Sequence, residues 1–153
     1  MRRAEKEILD PAAVRAVLEE ALVCRLAMAS GDRPYLVPLS FALDGEDLVL
    51  HMAAEGTKVD LLRRNPRVCF EVESGVEVVP AERPCDVSMR FQSVVGFGEA
   101  RFVEGEGEKA RALGLLAAKY APGARAAISP DRARLALVVR VAIREVRGKQ
   151  SGY

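Results

Sequence analysis

The chain has 153 residues, one domain's worth, and is long enough to bury roughly two-thirds of its unfolded surface without help from a metal or disulfide. Half of the residues are apolar and 29% are charged, an ordinary globular composition. The 23 basic and 22 acidic side chains leave a net charge of +1, too little basic excess for a protein that works by neutralising nucleic-acid phosphates. No apolar run approaches the eighteen or so residues of a membrane span, and the charged opening from Met1 to Glu7 is not a secretory leader. The expectation is a single cytoplasmic domain over residues 1–153 that engages neither nucleic acid nor membrane.

Asp10-Pro11 is a helix start, and Val14, Val17, Leu18, Ala21 and Leu22 continue it at helical spacing to residue 22. Cys24–Ala29 reads as a strand and Ser30-Gly31-Asp32 as a turn. Tyr35–Leu43 is a second strand, in which Pro38 requires an edge, a bulge or a ligand-facing position. Asp44-Gly45 signals a hairpin into a third strand, Leu48–Met52. Thr57 is the expected N-cap of a short helix over 57–64, which Asn65-Pro66 stops. Arg67–Glu73 alternates as a strand, 74–86 reads as a loop or loose hairpin, and Ser88–Val103 is a long strand that Gly96 and Gly98 let bend or bulge. A helix over 108–120 and a last strand over Arg134–Val146 follow, with a mobile tail at 148–153. Six strands, mostly joined by hairpins, with helices inserted between them, predict a mainly β, α+β fold: a six-stranded antiparallel split barrel with short flanking helices.

Standard catalytic signatures are missing. Gly96-Phe97-Gly98 lacks the third glycine of a dinucleotide fingerprint and no helix follows it; there is no Walker loop. The single histidine, His51, cannot build a multi-histidine metal site, and Cys24, Cys69 and Cys85 form no CxxC pair, so no metal centre or disulfide framework is expected. Cys24 and Cys69 lie in apolar runs and read as inert buried thiols. One segment carries chemistry: His51-Met52-Ala53-Ala54-Glu55-Gly56-Thr57-Lys58 runs from a strand through small residues into a helix start. Free amides at a helix N-terminus, a threonine hydroxyl and a lysine ammonium together make an anion site, and Gly56 allows close backbone approach. On local sequence alone, a surface turn with a capping threonine and a solvated lysine is the more economical reading.

Four stretches change that balance: Tyr35–Phe41; Leu50–Ala53 with Gly56-Thr57-Lys58; Asn65–Phe70; and Ser93–Ala100. In this order and spacing the chain resembles the FMN-binding split-barrel flavoproteins of the pyridoxamine phosphate oxidase-like superfamily. The opening Arg2-Arg3 with Glu7-Ile8-Leu9-Asp10-Pro11 is similar to the nitroimidazole-resistance-type reductases within it. The resemblance runs from Arg2 to about Gly148. It implies a homodimer with FMN at the subunit interface. By position it assigns Gly56, Thr57 and Lys58 to the flavin phosphate, and Val37, Pro38, Leu39 and Ser40 to the border of the isoalloxazine ring. His51 falls at the strand end entering the phosphate loop, and Gln92 and Ser93 fall where a polar side chain meets the flavin.

The implied activity is an FMN-dependent oxidoreductase that takes electrons from a reduced nicotinamide and reduces small electrophiles of nitroaromatic or quinone type. One departure from the authentic oxidases argues against vitamin B6 oxidation: the segment Arg144–Gly148 lacks the Arg-x-His that holds their substrate. His51 is the first candidate for a proton-transfer role because it is the sole histidine near the site; packing beside the loop is its structural alternative. Arg90, Phe91 and the loop from Pro80 to Asp86 border the expected substrate space, or Arg90 is a solvated surface charge. Two other readings stay open: a non-catalytic flavin-binding protein, and a haem-binding relative with His51 as axial ligand.

Overall fold

The computed structural model describes residues 3–123, 128 and 130–153; Met1 and Arg2 of the charged opening lie outside them. The chain order is β1 (Glu7–Ile8), α1 (Pro11–Glu20), β2 (Cys24–Ser30), β3 (Arg33–Leu39), β4 (Phe41–Asp44), β5 (Asp47–Met52), α2 (Thr57–Arg64), β6 (Arg67–Val79), β7 (Ser88–Phe102), α3 (Glu106–Tyr120), α4 (Pro130–Leu135) and β8 (Leu137–Ser151). A 3₁₀ turn at Pro84–Asp86 sits at the tip of the β6–β7 hairpin.

All pairings among the described strands are antiparallel, in the order β3-β2-β6-β7-β8-β5-β4, with β1 added beside β8. The two ends of this path, β3 and β4, are joined by one residue, Ser40. The sheet must therefore curl until its edges meet, and β3 also lies against β5. This is the expected α+β split barrel, with eight strands rather than six. Two local effects account for the difference: the predicted strand 35–43 breaks at Ser40, and Glu7–Ile8 pairs with Gly148–Lys149.

The main core lies on the inner face. Leu26, Phe41, Leu48, Leu50, Phe70, Val72 and Val94 fill it, with Val14, Val17 and Leu18 of α1 and Val59, Leu61 and Leu62 of α2 packed on them. A smaller core on the other side of β5 and β8 holds Val49 and Val138 against Ala112, Leu113 and Leu116 of α3. Asp10 caps α1, its Oδ1 accepting from the Ala12 amide at 2.9 Å, with Pro11 at the first position. The Tyr120 hydroxyl accepts from the Phe41 amide (2.9 Å) and donates to the Leu22 carbonyl (2.8 Å), so α3 fixes the first residue after the seam.

Four expectations are corrected. The tail does not leave the sheet at Gly148, because Gly148–Ser151 pair with Phe91–Val94. Residues 74–79 extend β6 through an irregularity at Ser74–Glu77 rather than opening a loop. Arg134 and Leu135 belong to α4, and the last strand starts at Leu137. Thr57 is the first helical residue of α2, and the N-cap is Gly56. The bulge expected near Gly96 and Gly98 is present as a register shift against β8 between Phe97 and Gly98.

Arg140 is the one strongly buried cation described, and three carboxylates surround it: Asp44 at 2.5 Å, Glu108 at 2.9 Å and Asp47 at 3.2 Å. Arg111 adds a 2.6 Å contact to Asp44. The network joins the β4–β5 hairpin, β8 and α3. Hydrogen bonds from Arg111 and Arg140 hold the Asp44 carboxyl well below the usual carboxylate range. A carboxylate whose folded pKa is depressed stabilises the fold at pH values above its unfolded pKa, about 3.9, and loses that contribution as pH falls below it. Asp44→Asn should therefore cost about 2–3 kcal/mol of unfolding free energy at pH 7, and the difference from wild type should shrink in denaturant titrations taken progressively below pH 4.

Gly96 faces inward. A Cβ there would lie 2.3 Å from the Phe70 ring and 2.9 Å from the Glu145 carbonyl oxygen. Gly96→Ala should destabilise by about 1–3 kcal/mol through overpacking, and Gly107→Ala, where a Cβ meets nothing within 4 Å, is the control in the same thermal melts.

Candidate functional site

The predicted site residues fall into two groups. The first gathers at the seam. Phe41 is opposite Leu50 in the β4–β5 ladder, so Ser40 sits one step further, level with His51. From Met52 the chain passes through four residues into α2, which packs on β2. The end of β3, the end of β5 and the start of α2 thus meet because one residue closes the barrel there.

α2 is anchored at its rear. Val59, Leu61 and Leu62 are buried, and Asn65 donates to the Ala29 carbonyl while its Oδ1 accepts from the Arg67 amide. At its front, Gly56 has φ +116°, a conformation that side chains rarely adopt, although a Cβ would meet nothing within 4 Å. Glycine is required there by backbone conformation rather than by space. The Gly56 carbonyl accepts from Val59 (2.9 Å) and Asp60 (3.2 Å), and no side chain caps the helix. The amides of Thr57 and Lys58 precede the first of these bonds, and the positive end of the helix dipole adds to them. Thr57 is exposed and Lys58 half-buried. Nothing in this geometry requires the capping threonine of the economical reading.

β3 is an end strand, and its four predicted residues divide by parity. Val37 and Leu39 pack against the main core; Pro38 and Ser40 are exposed. Pro34 and Pro38 oppose Ala29 and Arg25 in the β2–β3 ladder. Both prolines lack an N–H, so they occupy positions that owe β2 no hydrogen bond. Leu36 shares their phase, and its N–H and C=O point to the open edge. Val37 and Leu39 therefore form the wall of the seam, and the backbone groups available at its edge belong to Leu36 and the prolines. Sequence reasoning missed Leu36; the i, i+4 spacing of the two prolines was the signal.

His51 lies on the face of β5 opposite Leu50 and Met52, and its side chain is exposed. The geometry thus favours a surface imidazole beside the seam over one packed into the core.

Gln92 and Ser93 form the second group and are not part of the seam. His51 is opposite Val138, whereas Ser93 is opposite Lys149, eleven residues along β8. Leu39 and Val94 share a level, yet β2 and β6 stand between their strands. The two residues also face opposite ways. Gln92 points inward and donates to Gln150 Oε1 at 3.4 Å, and its ladder partner Ser74 has a buried Oγ with no partner. Ser93 points outward into a cavity of about 230 Å³ with Val95, Phe97, Glu145, Arg147 and Lys149.

The remaining candidates take structural places. Arg90 pairs with Glu77 and stacks over the Tyr153 ring, 5.8 Å from its centre. Burial pushes the Cys24 thiol up to about 12, helped by the nearby Glu71 charge, and burial also raises Cys69; neither is a poised nucleophile. Lys119, in the last turn of α3, reaches the Leu18 carbonyl of α1 at 3.4 Å and lies 3.8 Å over the Phe41 ring.

A family model described as pyridoxamine 5′-phosphate oxidase matches residues 10–150. No curated protein matches the chain in sequence. Among solved structures, one described as a 5-nitroimidazole antibiotic resistance protein from Bacteroides thetaiotaomicron superposes with a TM-score of 0.82 at 28% identity, over 94% of this chain and 86% of that one. An FAD-binding protein from Mesorhizobium loti gives 0.70 at 24% identity over 94% and 96% of the two chains. The flavocytochrome Anf3 from Azotobacter vinelandii gives 0.84 at 20% identity over 100% and 72%. At their identities the last two show a shared fold alone. The match over nearly the whole chain agrees with the seam-closed barrel and with the order of motifs along it: the chain belongs to the pyridoxamine 5′-phosphate oxidase family.

Proposed function

We propose that this chain binds FMN where β3, β5 and α2 meet, that a second copy of the chain completes the site, and that the flavoprotein reduces small electrophiles of nitroaromatic or quinone type. The observation that carries this reading is the first turn of α2: Gly56 at φ +116°, no capping side chain, and Lys58 beside it. This turn fits a phosphate: two amides, a hydroxyl and an ammonium at the positive end of a helix. The open edge of β3, with the Leu36 N–H and C=O, fits the rim of a planar ring that carries both donors and acceptors. The relatives support the cofactor class. The Mesorhizobium protein is described as FAD-binding, and the Bacteroides protein as conferring resistance to a nitroimidazole.

Bound flavin supplies two-electron redox chemistry that no side chain here provides. The protein's part is placement. Gly56, Thr57 and Lys58 would hold the phosphate end, Pro38 and Ser40 would face the ring with the Leu36 backbone, and Val37 and Leu39 would back the strand. His51, exposed beside Ser40, is the imidazole at the seam and the group placed to carry a proton to a ligand there. Gln92 and Ser93, far from the seam in their own chain, would serve the site of a second copy. Electrons would come from a reduced nicotinamide, for which the open side of the seam leaves access.

Purified protein should be yellow, release FMN on denaturation, and oxidise NADH or NADPH in the presence of a nitroaromatic acceptor. Release of FAD would correct the cofactor, and a Soret band in place of flavin absorbance would replace the reading with haem. Bound flavin without turnover would leave a carrier. Light scattering should give twice the chain mass.

Lys58→Ala should weaken FMN roughly tenfold or more, as for loss of a charge-assisted hydrogen bond, while leaving riboflavin, which lacks the phosphate, nearly unaffected. Lys109→Ala on α3, away from the seam, is the control. Equal losses of both ligands would place Lys58 at the ring or in folding instead.

A further inference from the structure

β8 is paired along most of one side by β7, but on its other side only in two pieces. Ala142 pairs with both Glu99 of β7 and Asp47 of β5, and Gly148 pairs with both Val94 of β7 and Ile8 of β1. β5 and β1 therefore share the edge of β8 that faces away from β7. Between them, residues 143–147 have no strand beside them, a gap of about 16 Å at ordinary strand rise. The N–H and C=O groups they turn to this side are not taken up by any loop or turn among the described residues.

The gap opens onto a cavity. Arg144 is the extra residue of the β8 bulge, so Ile143 and Val146 both come to the inner face, opposite Gly98 and Gly96. With Val14 and Leu18 of α1 and Leu43 of β4 they line a space of about 460 Å³, which is the size of a small-ligand site. Ala12 stands at one end of its mouth and the Gly45-Glu46 turn at the other. The seam lies at the opposite end of the β4–β5 hairpin, where Phe41 opposes Leu50, so this cavity is separate from the proposed flavin site.

Charge at the mouth is unbalanced. Arg15 is engaged by Glu19 at 2.8 Å and by the Gly45 carbonyl at 2.9 Å. Arg144 is held by Glu99 at 2.8 Å, and Glu145 by Arg147 at 3.2 Å. Glu46 is exposed and has no cationic side chain against it among the described residues. Asp10 also lacks one, and its Oδ1 takes only the Ala12 amide. The charge left over is acidic.

An open strand edge fits an extended backbone, the cavity fits a bulky apolar side chain, and the mouth fits a cation. One ligand meets all three: a short peptide that adds as a strand, with main-chain hydrogen bonds for affinity and a side-chain pocket for specificity. The walls at β1 and at the β4–β5 turn keep the edge short, which guards against unselective pairing with longer strands. We infer that an extended segment of a partner protein, about five residues long, docks on β8 between β1 and the β4–β5 turn, with an apolar side chain in the cavity and a lysine or arginine at Glu46.

The test is fluorescence anisotropy of labelled peptides, about five residues long and capped at both ends, on the full-length chain, with unlabelled peptides as competitors. The set holds every arrangement of one leucine and one lysine in a threonine background, so that every register along the gap is sampled. At least one arrangement should bind saturably. Glutamate in place of its lysine should weaken it about threefold to tenfold, and Glu46→Lys should weaken the lysine peptide equally while restoring the glutamate peptide. Ala12→Trp, at an exposed position on the mouth, should reduce binding more than tenfold, as should N-methylation of the peptide backbone. Thermal melts matching wild type would show that both variants fold, and Glu46→Lys with its restored partner stands even if Ala12→Trp does not fold. Absence of binding by every arrangement would overturn the inference. So would binding indifferent to Glu46→Lys, or binding that survives N-methylation at every position, which would show apolar uptake without strand addition.

Discussion

The seam at Ser40 governs this molecule. Ser40 alone joins the two ends of the strand path, so the sheet has to curl until β3 and β4 run on from one another. Closure by pairing would hide both edges; closure by a single residue leaves the outer edge of β3 open beside β5. An open edge is ordinarily a liability for association with other strands. Here two prolines in the same phase leave only the Leu36 backbone as a donor on it. The seam is also fixed from behind, because the Tyr120 hydroxyl meets the Phe41 amide that β4 would otherwise leave unpaired.

Packing around the seam follows from amphipathic pieces that are short by themselves. α2 has eight residues and could not persist alone in water; Val59, Leu61 and Leu62 hold it against the inner core. Its front turn can therefore remain uncapped and lack a stabilising side chain, because the rear and the buried face bear the cost. On the far side, α3 is bound to the sheet by both the smaller apolar core and the carboxylates around Arg140. A buried guanidinium with several carboxylate partners is a poor source of net stability, but it tolerates few alternative arrangements of the β4–β5 hairpin. The two devices fix the hairpin that carries His51 and the loop into α2.

The proposed chemistry depends on this division between rigid support and open groups. The β3 backbone edge, the front of α2 and Lys58 are the groups that the proposal places around the cofactor. Gln92 and Ser93 sit elsewhere on the same sheet, pointing to opposite faces of β7. In the proposed dimer a symmetric partner would cover the seam without additional sequence.

The amino-acid sequence by itself determined most of the local elements. Asp10-Pro11 set a helix start, Asp44-Gly45 a hairpin and Asn65-Pro66 a helix stop; each acts through its own neighbours, so each is legible in a short window. Motif order identified the family before any fold was visible. What the tertiary structure decided involves partners distant in the chain. Ser40 breaks a strand that reads as continuous, because alternation cannot register a change of pairing partner. Gly148–Ser151 look like a loose end until β1 and β7 are seen beside them. Gly56 displaces Thr57 as the cap because its φ is set by the path from β5 to β2, not by capping preference. Residue parity on β3, which turns Val37 and Leu39 inward and opens the Leu36 backbone outward, is fixed by which face of the sheet holds the core. That choice is made by the whole barrel rather than by any one strand.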